Sequence, residues 1–330
     1  MSVICIPVVN EMKKKVLIIP DVEGWAYDII AQHIMPHFQR YIPTIRYMRD
    51  IIRGTEKISF GDFDVVFVFF WYDGFTNLMD IDDFDINKVC VGIHSHNSWI
   101  KRNIPIENVK EIVNLFPVIG CISRKLMAIF EDHHSLCFTP SGYAPEFFQP
   151  SPLPQFNGVL KVAWAGDPQV AHHGDVKGFH SIIKPVISEL DEVELIVQTK
   201  EERIPYHQMS RVYNSAHVYL NTSLNEGSPM PVIEAMACGR AVISTDVGIV
   251  PELIDDSNGV IIPRTHLGLR EALLDLHSKP EKLTLMGINA RKSIECRSWA
   301  WSAEHYEKMF DRVLKNKQEK EYSERYFNFT

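Results

Sequence analysis

Short, nearly unbroken apolar runs recur along the chain at 15–20 (KVLIIP), 64–70 (DVVFVFF), 89–93 (VCVGI) and 118–122 (VIGCI). They return at 160–165 (LKVAWA), 193–198 (VELIVQ), 218–220 (VYL), 241–245 (AVIST) and 260–262 (VII). Runs of this length without polar alternation fit strands buried on both faces, as in a parallel sheet covered by helices. Helical periodicity is predicted over 26–34, 124–130, 206–215, 228–238, 267–277, 280–296 and 298–314. Strands alternating with helices predict an α/β chain built on parallel sheets. Within 37–54, Arg46, Arg49 and Arg53 fall at helical spacing among Ile45, Tyr47, Met48, Ile51 and Ile52. This predicts a basic amphipathic helix, either a solvated face or a peripheral contact with an anionic membrane.

A chain of 330 residues suggests two domains. The proline-rich piece 150–154 reads as a linker, which divides the chain into domains at 1–150 and 151–300, with a helix and tail at 301–330. The aromatic residues Tyr326, Phe327 and Phe329 in that tail are candidates for docking onto the first half.

The segment 218–254 carries the densest chemistry. A strand at 218–220 leads through a polar loop to a helix predicted to start near Ser228, with Ser as cap and Pro229 or Pro231 in the first turn. Gly239 ends that helix, and 241–245 is the next strand, which makes a βαβ crossover with its loop at the carboxyl ends of the strands. Glu226 lies in the loop and Glu234 in the helix, with seven residues between them. Amides of Ser228, Met230 and Val232 stand near a helix N-terminus, where unpaired donors favour an anion. A carboxylate accepts hydrogen bonds from vicinal hydroxyls, so the pattern suits a ligand that is part diphosphate and part sugar.

The run NEGSPMPVIEAMACG, with TDVGIVPELI after it, resembles the E-x7-E signature of family 4 of the retaining GT-B glycosyltransferases. The resemblance implies two Rossmann-like domains facing across a cleft and transfer of a sugar from a nucleotide-diphosphate sugar to a hydroxyl acceptor: a glycan, a lipid or a small molecule. It further implies that Glu234 holds the ribose hydroxyls and that Glu226 faces the donor sugar, with Ser228, Pro229 and Met230 at the donor. His94, directly after the 89–93 strand, matches the histidine that reaches the sugar from the first domain; His96 is its competitor. Gly24 fills the place of the glycine loop after the first strand, and Gly166 ends the first strand of the donor domain. Relatives follow that glycine with Arg and later with Lys-Gly, a clamp for the diphosphate. Here Lys177-Gly178 is present, Asp167 stands at the Arg position, and His172 and His173 lie between. Trp71 and Tyr72, at the end of another strand, are candidates to stack on a sugar ring. The run 136–150 resembles the segment closing the first domain, with Ser141, Tyr143 and Ala144 departing from its pattern and Gly142 retained.

Composition narrows the class. Hydrophobic residues make 45% of the chain and charged ones 23%, ordinary for a globular protein, and a net charge of −8 argues against general nucleic-acid binding. Six scattered cysteines suggest reduced thiols in a cytoplasmic protein, and neither a signal peptide nor a membrane span is expected. No cofactor or metal is implied: helix amides and Lys177 would carry the leaving-group charge. No G-x-G-x-x-G follows the strands at 15–20 or 160–165, which disfavours a dehydrogenase. The remaining alternatives are a GT-B sugar-nucleotide epimerase and a degenerate module that binds without catalysis.

Overall fold

The computed structural model describes residues 12–168, 174–199, 201–202 and 204–327, with side chains to 321. The first half forms a six-stranded parallel sheet in the order β2-β1-β3-β4-β5-β6, from β1 (Lys14–Ile19), β2 (Tyr41–Ile45), β3 (Val65–Val68), β4 (Val89–Ile93), β5 (Val118–Cys121) and β6 (Leu136–Phe138). The second half forms a five-stranded parallel sheet in the order β11-β10-β9-β7-β8, from β7 (Leu160–Gly166), β8 (Val193–Thr199), β9 (Val218–Asn221), β10 (Ala241–Thr245) and β11 (Gly259–Ile262). The central strands β3, β4, β5, β9 and β10 are buried at every position, which is why their sequences are mainly apolar, with the polar Asn221, Ser244 and Thr245 at the carboxyl ends of β9 and β10. Both sheets reverse direction of winding beside their first strand, at β1/β3 and at β7/β9. Open α/β sheets bind ligands at that crevice, outside the carboxyl ends of the strands.

The predicted basic helix over 37–54 is corrected. Tyr41–Ile45 is an edge strand paired with β1, and only Met48–Ile52 is helical. Pro43 is compatible with this because β2 has one neighbour only, so a missing N–H costs no second ladder. The arginines do not share a helix face: Arg46 pairs with Glu56 at 3.5 Å and Arg49 with Asp50 at 3.0 Å. The support they gave to a membrane contact is removed. Among the described residues no helix is long and apolar enough to cross a membrane.

The helix Trp299–Phe327 follows the second sheet in sequence but packs on the first, against β3 to β6 and the helix Ala26–Ile34. Phe310 sets its ring edge-on to Phe38 and Tyr41, and Tyr306 meets Phe67. Buried Glu307 accepts the backbone N–H groups of Gln39 and Arg40 at 2.8 and 2.7 Å, which ties the entry of β2 to this helix. Where the chain crosses between halves its two strands run side by side: Tyr143 N–H donates to Arg297 O, and Trp299 N–H to Tyr143 O. A Cβ on Gly142 would lie 2.6 Å from the Ser298 carbonyl, so this crossing requires glycine there. The tail position Phe329 lies outside the described residues, as do the side chains of Tyr326 and Phe327.

Candidate active site

The carboxyl ends of the two sheets meet directly. The loop after β9 reaches the end of β4 so closely that Gly227 rests on the His94 carbonyl, and a Cβ there would overlap it. Gly248, with φ +49°, packs in turn on Gly227, whose carbonyl accepts from Ile249 N–H at 2.9 Å. Beside this contact Arg124 N–H donates to Glu252 Oε1 at 2.7 Å and Lys125 Nζ to Asp246 Oδ1 at 2.6 Å. The helix Arg124–Ile129 of the first half thus meets the TDVGIVPELI segment of the second.

The β9 loop leads into the helix Met230–Ala237, whose cap is Pro229 with no side-chain cap bond, not Ser228. Val232 N–H donates to Pro229 O at 3.0 Å, and Pro231 has no N–H. The predicted anion-binding donors therefore reduce to the amides of Ser228 and Met230. The Ser228 hydroxyl is buried without a partner among the described residues.

Glu226 and Lys177 are brought together. Lys177 Nζ pairs with Glu226 Oε1, which also accepts the Ser223 hydroxyl at 2.9 Å. The Lys177 side chain is 41% exposed and that of Glu226 16%, so the ammonium keeps access to the cleft. Gly178 holds the turn at φ +72°, and a Cβ there would stand 2.6 Å from Thr222 Oγ1. Thr222 Oγ1 donates to Lys177 O at 2.9 Å, so Lys-Gly is pinned to the end of β9. Arg264, which sequence patterning does not single out, braces the same place by donating to Thr222 O at 2.9 Å and Asp175 O at 2.7 Å. Gly166 closes β7, with the Trp164 ring 2.9 Å from where a Cβ would stand, and Asp167 follows it. His172 and His173 lie outside the described residues.

Glu234 is 4% exposed. Burial pushes its carboxyl up to about 7, against the opposing hydrogen bond from the Tyr213 hydroxyl to Oε2 at 2.5 Å. His94 is 6% exposed, and burial pushes its imidazole down to about 3, so the ring is neutral. It lies against Tyr27 and Phe69, at 4.9 and 5.3 Å between ring centroids, and neither ring nitrogen has a partner among the described residues. Gly92 makes room for it, since a Cβ there would overlap His94 Nε2 and approach Phe69 O at 2.6 Å. His96 instead packs on Trp99, at 5.3 Å.

The other first-half candidates separate. Gly24 sits at φ +75° in the turn after β1, and its N–H donates to Asp28 Oδ2 at 2.7 Å; that turn accounts for the glycine. Trp71 is fully buried and donates Nε1–H to Ser98 Oγ at 3.0 Å, so it is a core residue and not a sugar platform. Sequence reasoning missed Asp73, at the start of the helix after β3. Its carboxyl is raised to about 6, by burial first and then by Asp21, whereas the nearby Arg102 guanidinium lowers it. Arg102 lies over Phe70 and Tyr72 at 4.7 and 5.1 Å. Among the described residues no group of three His, Cys, Asp or Glu could hold a metal ion.

Two parallel α/β sheets with their carboxyl edges apposed define the GT-B architecture. In fold, the chain is similar to sucrose-phosphate synthase from Thermosynechococcus elongatus, with a TM-score of 0.71 at 13% identity over 92% of this chain and 100% of that one. Anabaena HepE, solved with UDP and glucose, gives 0.64 at 12% over 90% and 99%. Residues 198–293, from the end of β8 through the E-x7-E segment, match the family model Glycosyl transferases group 1. The alpha-maltose-1-phosphate synthase of Mycolicibacterium smegmatis is 27% identical over 140 residues, 40% of this chain and 36% of that protein. A human phosphatidylinositol N-acetylglucosaminyltransferase subunit is 33% identical over 119 residues, 33% of this chain and 23% of that protein. The chain thus matches about a third or less of the length of these relatives.

Proposed function

We propose that the chain is a glycosyltransferase that moves a sugar from a nucleotide-diphosphate sugar to a hydroxyl acceptor, with retention at the anomeric carbon. The observation that carries this reading is the convergence of Lys177, Glu226 and the amides of Ser228 and Met230 on the β9 loop, directly against His94 of the other sheet. The second half takes the donor: Glu234 holds the ribose diol, and Lys177 leaves Glu226 for the diphosphate, freeing that carboxylate for the sugar. Cation and amides stabilise the negative charge that grows on the leaving phosphate as the bond to the anomeric carbon breaks. His94, neutral and dry, offers the sugar a hydrogen bond and adds no charge. The first half takes the acceptor, with Asp73 and Arg102 near the end of β3 as its polar groups.

The relatives named above include an enzyme of sugar phosphates and one that glycosylates phosphatidylinositol, and HepE was solved with UDP. UDP-sugars are therefore the first donors to test, followed by GDP- and ADP-sugars. Release of free nucleotide on long incubation, with NMR of the anomeric configuration once an acceptor is found, tests the reading. A second reading, a binding module without catalysis, is favoured by Asp167 at the clamp position and by the pairing of Lys177 with Glu226. It gives stable nucleotide-sugar binding with no hydrolysis.

A further inference from the structure

We infer that Tyr213 is a positioning residue for the donor: its hydroxyl fixes one oxygen of Glu234 so that the other is presented to the ribose diol. The inference rests on the reading of Glu234 as the ribose ligand and extends it to a residue outside the E-x7-E segment. A carboxylate halfway along a helix ordinarily samples several rotamers in water, and Glu234 is instead enclosed. Tyr213 Oη donates to Oε2 at 2.5 Å, and the Tyr206 hydroxyl acts on the same carboxyl more weakly; a carboxylate accepts at about four lone-pair sites, so capacity remains for a ligand. Tyr213 is itself fixed. Its fully buried ring sets an edge against Tyr219 at 5.6 Å and lies 6.1 Å from Phe148. The next residue, Asn214, is held by Arg240 Nη2 at 2.7 Å and donates to Gln149 O at 3.1 Å, which anchors the helix Ser210–Asn214 to the linker. The phenol cannot swing away from the carboxylate without disturbing these contacts.

The groups facing Glu234 are Tyr213 from that helix, Tyr206 from the turn before it, Tyr219 from β9 and Cys238 from its own helix. All are raised by burial and are neutral near pH 7, so no cation in this set keeps Glu234 ionised. The Tyr213 hydroxyl, and after it the Tyr206 hydroxyl, opposes the effect of burial, which leaves Glu234 titrating at about 7. Tyr213 thus both aims the carboxylate and, as the larger of the two phenol contributions, widens the pH range over which it is a full acceptor.

The test is calorimetric titration between pH 6 and 9.5 with whichever of UDP, GDP and ADP the wild type binds, and with its 2′,3′-dideoxy analogue. In the wild type the ribonucleotide is preferred by about tenfold or more at pH 8, and the preference fades below the Glu234 midpoint. In Tyr213→Phe the preference at pH 7.5 falls to about twofold and the midpoint moves up by about one pH unit, with recovery above it. Replacement of Tyr213 by 3-fluorotyrosine, a stronger donor of nearly equal size, moves the midpoint down and serves as the test even if the Phe variant folds poorly. A native-like Tyr213→Phe with unchanged preference and midpoint, or a fluorotyrosine variant with an unmoved midpoint, overturns the inference and leaves the role of Glu234 standing. A wild type that does not discriminate, together with a Glu234→Gln variant that binds equally well, overturns the underlying reading instead.

Discussion

Gly227 of the second sheet's loop lies in backbone contact with the carbonyl of His94 at the end of β4. The two halves of the cleft therefore meet through atoms that no side chain can soften. Gly227→Ala should force them apart, lowering stability by about 1–3 kcal/mol and transfer by far more than that loss explains. Calorimetric unfolding and nucleotide-release assays on the same sample check this. An alanine variant with native melting and activity would show that the contact yields freely.

Glu226→Gln should tighten binding of the free nucleoside diphosphate, by roughly three- to fivefold, while transfer falls. The carboxylate that pairs with Lys177 competes with the phosphates for that cation, and the pair is partly exposed, so the gain is modest. Equal or weaker diphosphate binding by the Gln variant would mean that the ammonium is not exchanged.

Glu234 imposes a pH-dependent cost on the unliganded fold. Its folded value of about 7 lies above the ordinary 4.5, so the native state holds the proton more tightly. This stabilises the fold at low pH; stability then falls as pH rises from about 4.5 to 7, and the full cost persists above that. Glu234→Gln keeps an acceptor for Tyr213 and removes the charge. It should be more stable than wild type at pH 8, by an amount on the order of 2 kcal/mol, and nearly equal at pH 4.5, as denaturant titrations at the two pH values will show.

His94 works in the opposite direction. Its folded value of about 3 lies below the ordinary 6.5, so nothing is lost above pH 6.5 and stability falls as pH drops from there toward 3. His94→Phe retains ring contact with Tyr27 and Phe69 and should melt higher than wild type at pH 5, with little difference at pH 7.5. Its transfer should drop at least tenfold with diphosphate binding nearly unaltered. If His96→Ala gives the transfer defect and His94→Phe does not, the roles of the two histidines are exchanged.

Turnover should survive EDTA and fall strongly in Lys177→Ala, because the proposed leaving-group stabilisation comes from that ammonium and from backbone amides. Activity lost to EDTA and restored by Mn²⁺ or Mg²⁺, with Lys177→Ala silent, would place the phosphate chemistry elsewhere.

The central strands were legible in the sequence because burial on both faces dictates their composition, and the half-exposed edge strands β8 and β11 were legible because they keep short runs of Val, Leu and Ile. β2 was not: one neighbour, a proline and half-exposed positions remove the apolar run, and the spacing of Arg46, Arg49 and Arg53 imitates a helix across a strand, a turn and a single helical segment. Ser228 reads as a cap, yet the cap is Pro229 and the helix starts at Met230. The E-x7-E segment was legible because its chemistry is local, with loop, helix start and both carboxylates inside one crossover. Asp73, Gly92 and Tyr213 were not. Asp73 depends on burial beside Asp21, and Tyr213 on a hydrogen bond to a carboxylate 21 positions away. Gly92 is two residues from His94, but its role depends on the fold of the ring back over the strand.

The helix Trp299–Phe327 also imposes an order on assembly. A nascent chain leaves the ribosome from its N-terminus, and the first sheet emerges long before the residues that cover one of its faces. Phe67, Phe38 and Tyr41 then wait, without Tyr306, Phe310 and the anchoring carboxylate of Glu307, until the second sheet has been synthesised. A fragment ending near residue 150 should therefore be sticky and aggregation-prone, whereas the same fragment supplied with a peptide of 298–327 should regain solubility. The N-terminal sheet, though first in sequence, is the last part of the protein to be finished.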